Sequence, residues 1–219
     1  MSGTQKTAII IGATGLVGSQ LLQQLLSDHR YALVKVFHRR STGVTHEKLE
    51  EHVINFDEMR IWKHLIIGDE LFSALGTTLK AAGSKEAQYE VDYEYQLDVA
   101  KYAQKNGVLS YALCSSLGAT QSTKNFYLNM KGKLDNNVQK LGFEKLVIVR
   151  PSLLMGDRKE SRLGEKLGEP LLKLATKIPP FKKYKPIHVR EVAKAMINGL
   201  NSDSDQVIYE GLEVHKLAD

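Results

Sequence analysis

The stretch Ile11-Gly12-Ala13-Thr14-Gly15-Leu16-Val17-Gly18 decides the fold. An apolar, β-branched segment from Thr7 to Ile11 precedes it and an amphipathic segment from Ser19 to Leu26 follows, so a strand, a glycine turn and a helix succeed one another without a gap. Gly12 permits the tight turn leaving the strand, Gly15 removes a side chain where backbone must approach a ligand, and Gly18 lets the helix pack closely on the strand. The helix N terminus then faces the turn. Its unpaired N–H groups and the positive end of its dipole suit a pyrophosphate, so the stretch reads as a dinucleotide cradle with the spacing GxxGxxG.

The rest of the chain bounds what this cradle can belong to. With 219 residues, 42% of them hydrophobic and 25% charged, the chain can bury one core, and residues 1–219 are expected to form a single NAD(P)-binding domain. No apolar run is long enough to span a bilayer, and Met1 to Lys6 is polar and leads straight into the first strand. Together with the single cysteine, Cys114, this gives the expectation of a cytoplasmic protein. The formal net charge is +5, but the basic residues are interleaved with 25 acids, which reads as a solvated surface rather than a nucleic-acid face. The densest basic cluster, Lys182-Lys183-Tyr184-Lys185, sits beside prolines in an expected surface loop. Seven scattered histidines offer no metal-ligand spacing, so no metal is expected. The expected partner is a small-molecule substrate, without nucleic acid or membrane; a second copy of the chain, as a homodimer, is the one macromolecular partner considered.

Further strands follow in alternation with helical patterns. Leu33 to Phe37 is the second and ends in His38-Arg39-Arg40. In a dinucleotide-binding βαβ unit this position holds an acid when the cofactor is NAD, because a carboxylate accepts from the ribose hydroxyls. Here it is cationic. Two guanidinium groups match a 2′-phosphate, which favours NADP(H); the alternative is a solvated arginine pair. Val53 to Asp57 is the third strand, with Asp57 placed either to contact adenine or to cap a turn, and Glu58 to Leu65 is a short helix. Glu70 to Leu75 is the fourth strand and runs into Gly76-Thr77-Thr78; Ser84 to Asn106 is helical; Leu109 to Cys114 is the fifth strand, ending in Ser115-Ser116; Leu146 to Pro151 is the sixth. Cys114 reads as a small core residue rather than a nucleophile. The alternation predicts an α/β fold, a doubly wound parallel sheet between two helical layers, with ligands at the carboxyl ends of the strands.

The helix after Ser115-Ser116 carries Tyr127 and Lys131 on one face, which continues as Leu134, Val138 and Leu141. A lysine on an apolar stripe is out of place. Burying it costs several kcal/mol unless a neighbour uses its charge, as a phenol and a ribose would.

These features resemble the short-chain dehydrogenase/reductase family, in which GxxGxxG, serines after a strand and YxxxK occur in this order. The likeness narrows with Ala74-Leu75-Gly76-Thr77-Thr78, Ser115-Ser116-x-Gly118-Ala119, Tyr127-Leu128-x-x-Lys131-Gly132 and Arg150-Pro151-x-x-Leu154-x-x-Asp157-Arg158-x-Glu160-Ser161-Arg162. Together they resemble the atypical members related to Tat-interacting protein 2. That resemblance implies an NADPH-dependent oxidoreductase with cofactor contacts at Thr14, Gly15, Leu16, Val17, Arg39, Arg40, Leu75, Gly76, Lys131, Leu154 and Arg162, and Tyr127 as catalytic acid. Ser115 or Ser116 would polarise a carbonyl. It also implies a small extension on the substrate side near the C terminus. For Arg162 the alternative is a local ion pair with Glu160 or Glu165, and His188, before the last helical run, reads as structural.

The leading expectation is therefore reduction of a carbonyl or an activated double bond at the expense of NADPH. The competing one is a regulator that senses NADPH and turns over little or nothing. A sugar-nucleotide epimerase is disfavoured because the stretch after Arg150 is short for a full substrate domain.

Overall fold

The computed structural model describes residues 5–156 and 184–219. The strands are β1 (Lys6–Ile11), β2 (Tyr31–His38), β3 (Leu49–Val53), β4 (Glu70–Ser73), β5 (Ser110–Cys114), β6 (Lys145–Arg150), β7 (Leu154–Met155), β8 (Ile187–His188) and β9 (Ile208–Glu210). Seven of them form one sheet in the order β3-β2-β1-β4-β5-β6-β9, every neighbouring pair parallel, while β7 and β8 make a separate parallel pair. The helices are α1 (Leu16–Ser27), α2 (Met59–Trp62), α3 (Leu79–Ala82), α4 (Lys85–Tyr89), α5 (Tyr95–Lys105), α6 (Phe126–Val138), α7 (Val189–Leu200) and α8 (Leu212–Ala218).

β1 lies centrally because Ala8 to Ile11 bury both faces of the strand, which is what a β-branched run needs in a sheet covered on both sides. One face is packed by Leu21, Leu22 and Leu25 of α1 and by Val192, Met196 and Leu200 of α7. Against the other face lie Met59 and Trp62 of α2, Val99 and Ala103 of α5, and Leu134 and Val138 of α6. β1 connects outward through β2 to β3, whereas β4 connects the other way through β5 to β6. The crossing point between β1 and β4 is where such folds take ligands.

Two expected elements differ. The third strand is Leu49–Val53, not Val53 to Asp57, because Asn55 accepts from the Asp57 N–H (3.2 Å) and starts a 3-10 turn, Phe56–Glu58. Phe56 there packs edge-on to Trp62, so its apolar character serves a turn beneath the sheet. The helix expected from Ser84 to Asn106 is interrupted by a π turn, Glu90–Glu94, between α4 and α5. At the C-terminal end, the His188 side chain accepts from the Arg190 N–H and Glu191 accepts from the His188 N–H, a reciprocal cap that gives His188 its structural role.

Candidate functional site

The glycine loop lies at the crossing point. Gly12 adopts φ +85°, and a Cβ there would stand 2.5 Å from the Ala74 carbonyl carbon and the Leu75 nitrogen. A Cβ on Gly18 would stand 2.0 Å from the Gly12 carbonyl oxygen. Loop, helix and the turn after β4 are thus in backbone contact, and the Ala74 N–H donates to the Ile11 carbonyl (3.0 Å). Gly15 is the N-cap of α1, has no side chain to offer, and no acid occupies the first turn. The first N–H groups of α1 therefore face the loop uncapped, beside Thr14, Leu16 and Val17. Donors with no competing carboxylate fit a pyrophosphate, so the residues present suit a dinucleotide.

At the end of β2 the chain changes from buried to exposed within two residues. Phe37 and His38 are buried; Arg39 and Arg40 are exposed and make no ion pair among the described residues. The loop beyond them is tied by Glu51 on β3, which accepts from the Ser41 hydroxyl (2.8 Å) and the Thr42 N–H (2.8 Å). Glu51 also lies 3.6 Å from His38, whose burial pushes its pKa down. The nearby carboxylate holds the loop and leaves both guanidinium groups available.

On α6, Asn125 caps the helix by accepting from the Leu128 N–H (3.0 Å), which sets Tyr127 in the first turn and Lys131 one turn on. Tyr127 is 36% exposed, whereas Lys131 is buried. The next residue, Gly132, has no Cβ because one would meet the Thr120 backbone at 2.4 Å; this lets the segment after β5 lie on α6. The two serines part there. Ser116 is half-buried, and its hydroxyl is an influence that favours the Tyr127 tyrosinate. Ser115 is turned inward, buried, near Asp135, and helps oppose the upward push of burial on that carboxyl. Asp135 also accepts from Arg150 Nε (2.8 Å).

Lys131 Nζ stands 3.3 Å from Asp92 Oδ1, and both side chains are almost wholly buried. Asp92 lies in the π turn, and its other oxygen accepts from the Thr77 N–H (2.8 Å), in the turn after β4. Gln96 fixes the π turn from within: it donates to the Asp92 carbonyl (2.7 Å) and accepts from the Ser73 hydroxyl (2.7 Å). Burial raises the Asp92 pKa against the opposing pull of Lys131. Burial works against the charge on Lys131, but Tyr127 and Asp92 outweigh it and its pKa is raised. For Tyr127 burial is the largest influence and Lys131 the main opposing one; the net pKa is raised above the ordinary phenol value. Lys131 does pull it down, but burial outweighs that pull and Asp92 adds to the rise. Asp92 sits close enough to Lys131 to offset its charge.

The remaining expected residues divide by place. Gly76 adjoins Asp92, since a Cβ on it would stand 3.1 Å from Asp92 Oδ1, and Leu75 packs on the core beside it. Leu154, on β7, packs toward the α1 and α7 side. Asp57 is in the 3-10 turn and accepts from the Tyr95 hydroxyl. Burial pushes the Cys114 thiol up to about 11, as suits a packing residue. Arg162, with Asp157, Arg158, Glu160, Ser161 and Glu165, lies outside the described residues, as do Lys182 and Lys183. Sequence reasoning did not find Asp92. The available signal was the buried lysine, which requires a counter-charge from another element.

The chain matches the model of the NAD dependent epimerase/dehydratase family over residues 8–209. "Protein FMP52, mitochondrial" of Meyerozyma guilliermondii is 35% identical over 224 residues, spanning 96% of this chain and 94% of that protein. The protein of the same name from Candida albicans is 32% identical over 216 residues, 94% of each. Among solved structures, the Helicobacter pylori ADP-L-glycero-D-manno-heptose-6-epimerase superposes with a TM-score of 0.68 at 21% identity, over 94% of this chain and 77% of that one. The Bordetella bronchiseptica enzyme WbmG in complex with NAD does so with a TM-score of 0.70 at 13% identity, over 95% and 73%. At these identities the two structures speak to the fold alone. The curated relatives carry the FMP52 name, not that of Tat-interacting protein 2, and they are named mitochondrial, which overturns the cytoplasmic expectation. A lone cysteine argues only against a disulfide framework and does not distinguish one thiol-keeping compartment from another. The glycine cradle at the sheet's crossing point and the family match over nearly the whole chain lead to one conclusion: this chain belongs to the NAD dependent epimerase/dehydratase family.

Proposed function

We propose that this chain reduces a carbonyl or an activated double bond of a small molecule, with NADPH preferred over NADH. The observation that carries the reading is the placing of Tyr127 and the buried Lys131 in successive turns of α6, with Lys131 joined through Asp92 to the turn after β4. The dinucleotide, when bound, supplies the hydride. The uncapped start of α1, from Gly12 to Gly18, holds the pyrophosphate, and Arg39 and Arg40 meet the 2′-phosphate. Leu75, Gly76, Leu154 and Arg162 are the further cofactor contacts of the proposal. Ser116, not Ser115, orients the substrate oxygen. Tyr127 gives its hydroxyl proton to that oxygen as negative charge develops, and Lys131 holds the ribose and the tyrosine in place.

The motifs shared with the Tat-interacting protein 2 group support this narrower reading, and the names of the curated relatives support a mitochondrial location. NADPH consumption over a panel of aldehydes, ketones and quinones tests it. The expected result is steady turnover with at least one class, lowered by ~10²- to 10⁴-fold in Tyr127→Phe. A second reading, a redox-sensing regulator, is favoured by the offset of the Lys131 charge by Asp92. NADPH binding without consumption of any panel member would put it ahead.

A further inference from the structure

Asp92 stands at a junction that the family likeness does not assign. It comes from the π turn, a helical irregularity that often accompanies function. One oxygen is fixed by the Thr77 N–H at 2.8 Å, and the other is thereby aimed at Lys131 Nζ, 3.3 Å away. The turn itself is clamped twice, by Gln96 reaching Ser73 on β4 and by Tyr93, whose hydroxyl accepts from Asn137 Nδ2 of α6 (2.8 Å). A carboxylate held this way cannot swing off the lysine without opening both elements.

We propose that Asp92 is a positioning residue that cancels the Lys131 charge one helical turn from Tyr127 and so poises the site to reduce rather than to oxidise. This rests on the oxidoreductase reading for its consequence, though the charge relation is a property of the chain itself. The groups whose charge or hydrogen bonding acts on Tyr127 are Lys131 on its own helix, Asp92 from the π turn, Cys114 at the end of β5 and the Ser116 hydroxyl. Of these, Lys131 and Ser116 favour the tyrosinate; burial, Asp92 and Cys114 oppose it. In reduction the Tyr127 O–H bond breaks as its proton passes to the substrate oxygen, leaving tyrosinate. In oxidation the tyrosinate must already be present. Reduction should therefore be flat with pH through neutrality, and oxidation of an alcohol should rise with pH.

The test follows the Tyr127 ring carbon by NMR in protein labelled at tyrosine Cζ, with Tyr127→Phe identifying the resonance. In the wild-type chain the titration midpoint should lie above the ordinary value of about 10. Asp92→Asn keeps an oxygen for the Thr77 N–H and removes only charge. It should weaken proton affinity at Tyr127 by ~10-fold or more, as expected on removing a nearby like charge, and Asp92→Glu should restore it. A wild-type midpoint below about 10 overturns the proposal without any variant having to fold. An Asp92→Asn midpoint unchanged or raised overturns it as well. These readings stand apart from turnover. A panel without a substrate would sink the oxidoreductase reading and leave the Asp92 measurement intact.

Discussion

Lys131 and the pair Arg39-Arg40 are all cations expected to serve one cofactor, yet the protein places them in opposite ways. The arginines are exposed after β2, and no carboxylate among the described residues pairs with them. Lys131 is buried at the heart of α6 with Asp92 against it. An exposed guanidinium is solvated at little cost, so its charge can remain free until a ligand arrives. A buried ammonium cannot wait in that way, because removing it from water costs several kcal/mol unless a partner is in place beforehand. On the proposed reading, free charge serves recognition at the rim and committed charge serves the reacting centre.

The largest expected effect separates chemistry from binding. Tyr127→Phe keeps the ring and removes the proton, so turnover should fall by ~10²- to 10⁴-fold while NADPH affinity in a fluorescence titration stays nearly unchanged. Wild-type turnover in that variant would break the assignment of the centre. Next comes the committed charge. Lys131→Met strands a buried carboxylate and should lower unfolding stability in urea by about 3–5 kcal/mol, with loss of NADPH affinity. Adding Asp92→Asn should recover most of the stability, as coupled partners do in a double-mutant cycle. Additive losses would mean that the two side chains are merely neighbours.

A smaller effect tests the backbone that joins the two regions. Gly18→Ala pushes a methyl group into the Gly12 carbonyl oxygen and should lower stability by about 1–3 kcal/mol, read as a lower Tm and weaker dinucleotide binding. The smallest concerns the free charge. Arg39→Ala/Arg40→Ala should weaken NADPH about tenfold, the value of a charge-assisted hydrogen bond near 1.5 kcal/mol, and leave NADH unchanged. The wild-type preference should also shrink as salt rises, since these contacts are exposed. Equal affinity for the two dinucleotides would make the arginines simple surface residues.

The parts legible in the sequence were those whose signal is local. Thr7 to Ile11 is a continuous apolar run that ends in glycine, so a strand feeding a glycine turn and a helix was the natural reading. Tyr127 and Lys131 were visible because four residues make one helical turn. What was not legible required knowledge of neighbours distant in sequence. Asp92 reads as one more acid in the run Glu90-Val91-Asp92-Tyr93-Glu94; its burial depends on a π turn stabilised by Gln96 and Ser73. The close approach of Gly132 to the Thr120 backbone, which lets the segment after β5 lie on α6, is likewise a contact between residues with no local signal. The third strand was misplaced because Ile54 and Phe56 supply the apolar character of a strand to a turn, while the real strand is polar and partly exposed.

That polar third strand has a consequence for the protein's behaviour in a crowded solution. As the outermost strand, β3 has no ladder partner on one side among the described residues, the kind of margin onto which another chain can add. Its sequence, Leu49-Glu50-Glu51-His52-Val53, places charge at its centre, with Glu50 held 2.6 Å from His52 and Glu51 tied to the following loop. An incoming strand would have to bury those carboxylates against its own side chains. The residues that make β3 hard to recognise as a strand are the ones that discourage intermolecular pairing, and the same acids keep this margin soluble while the chain is still folding.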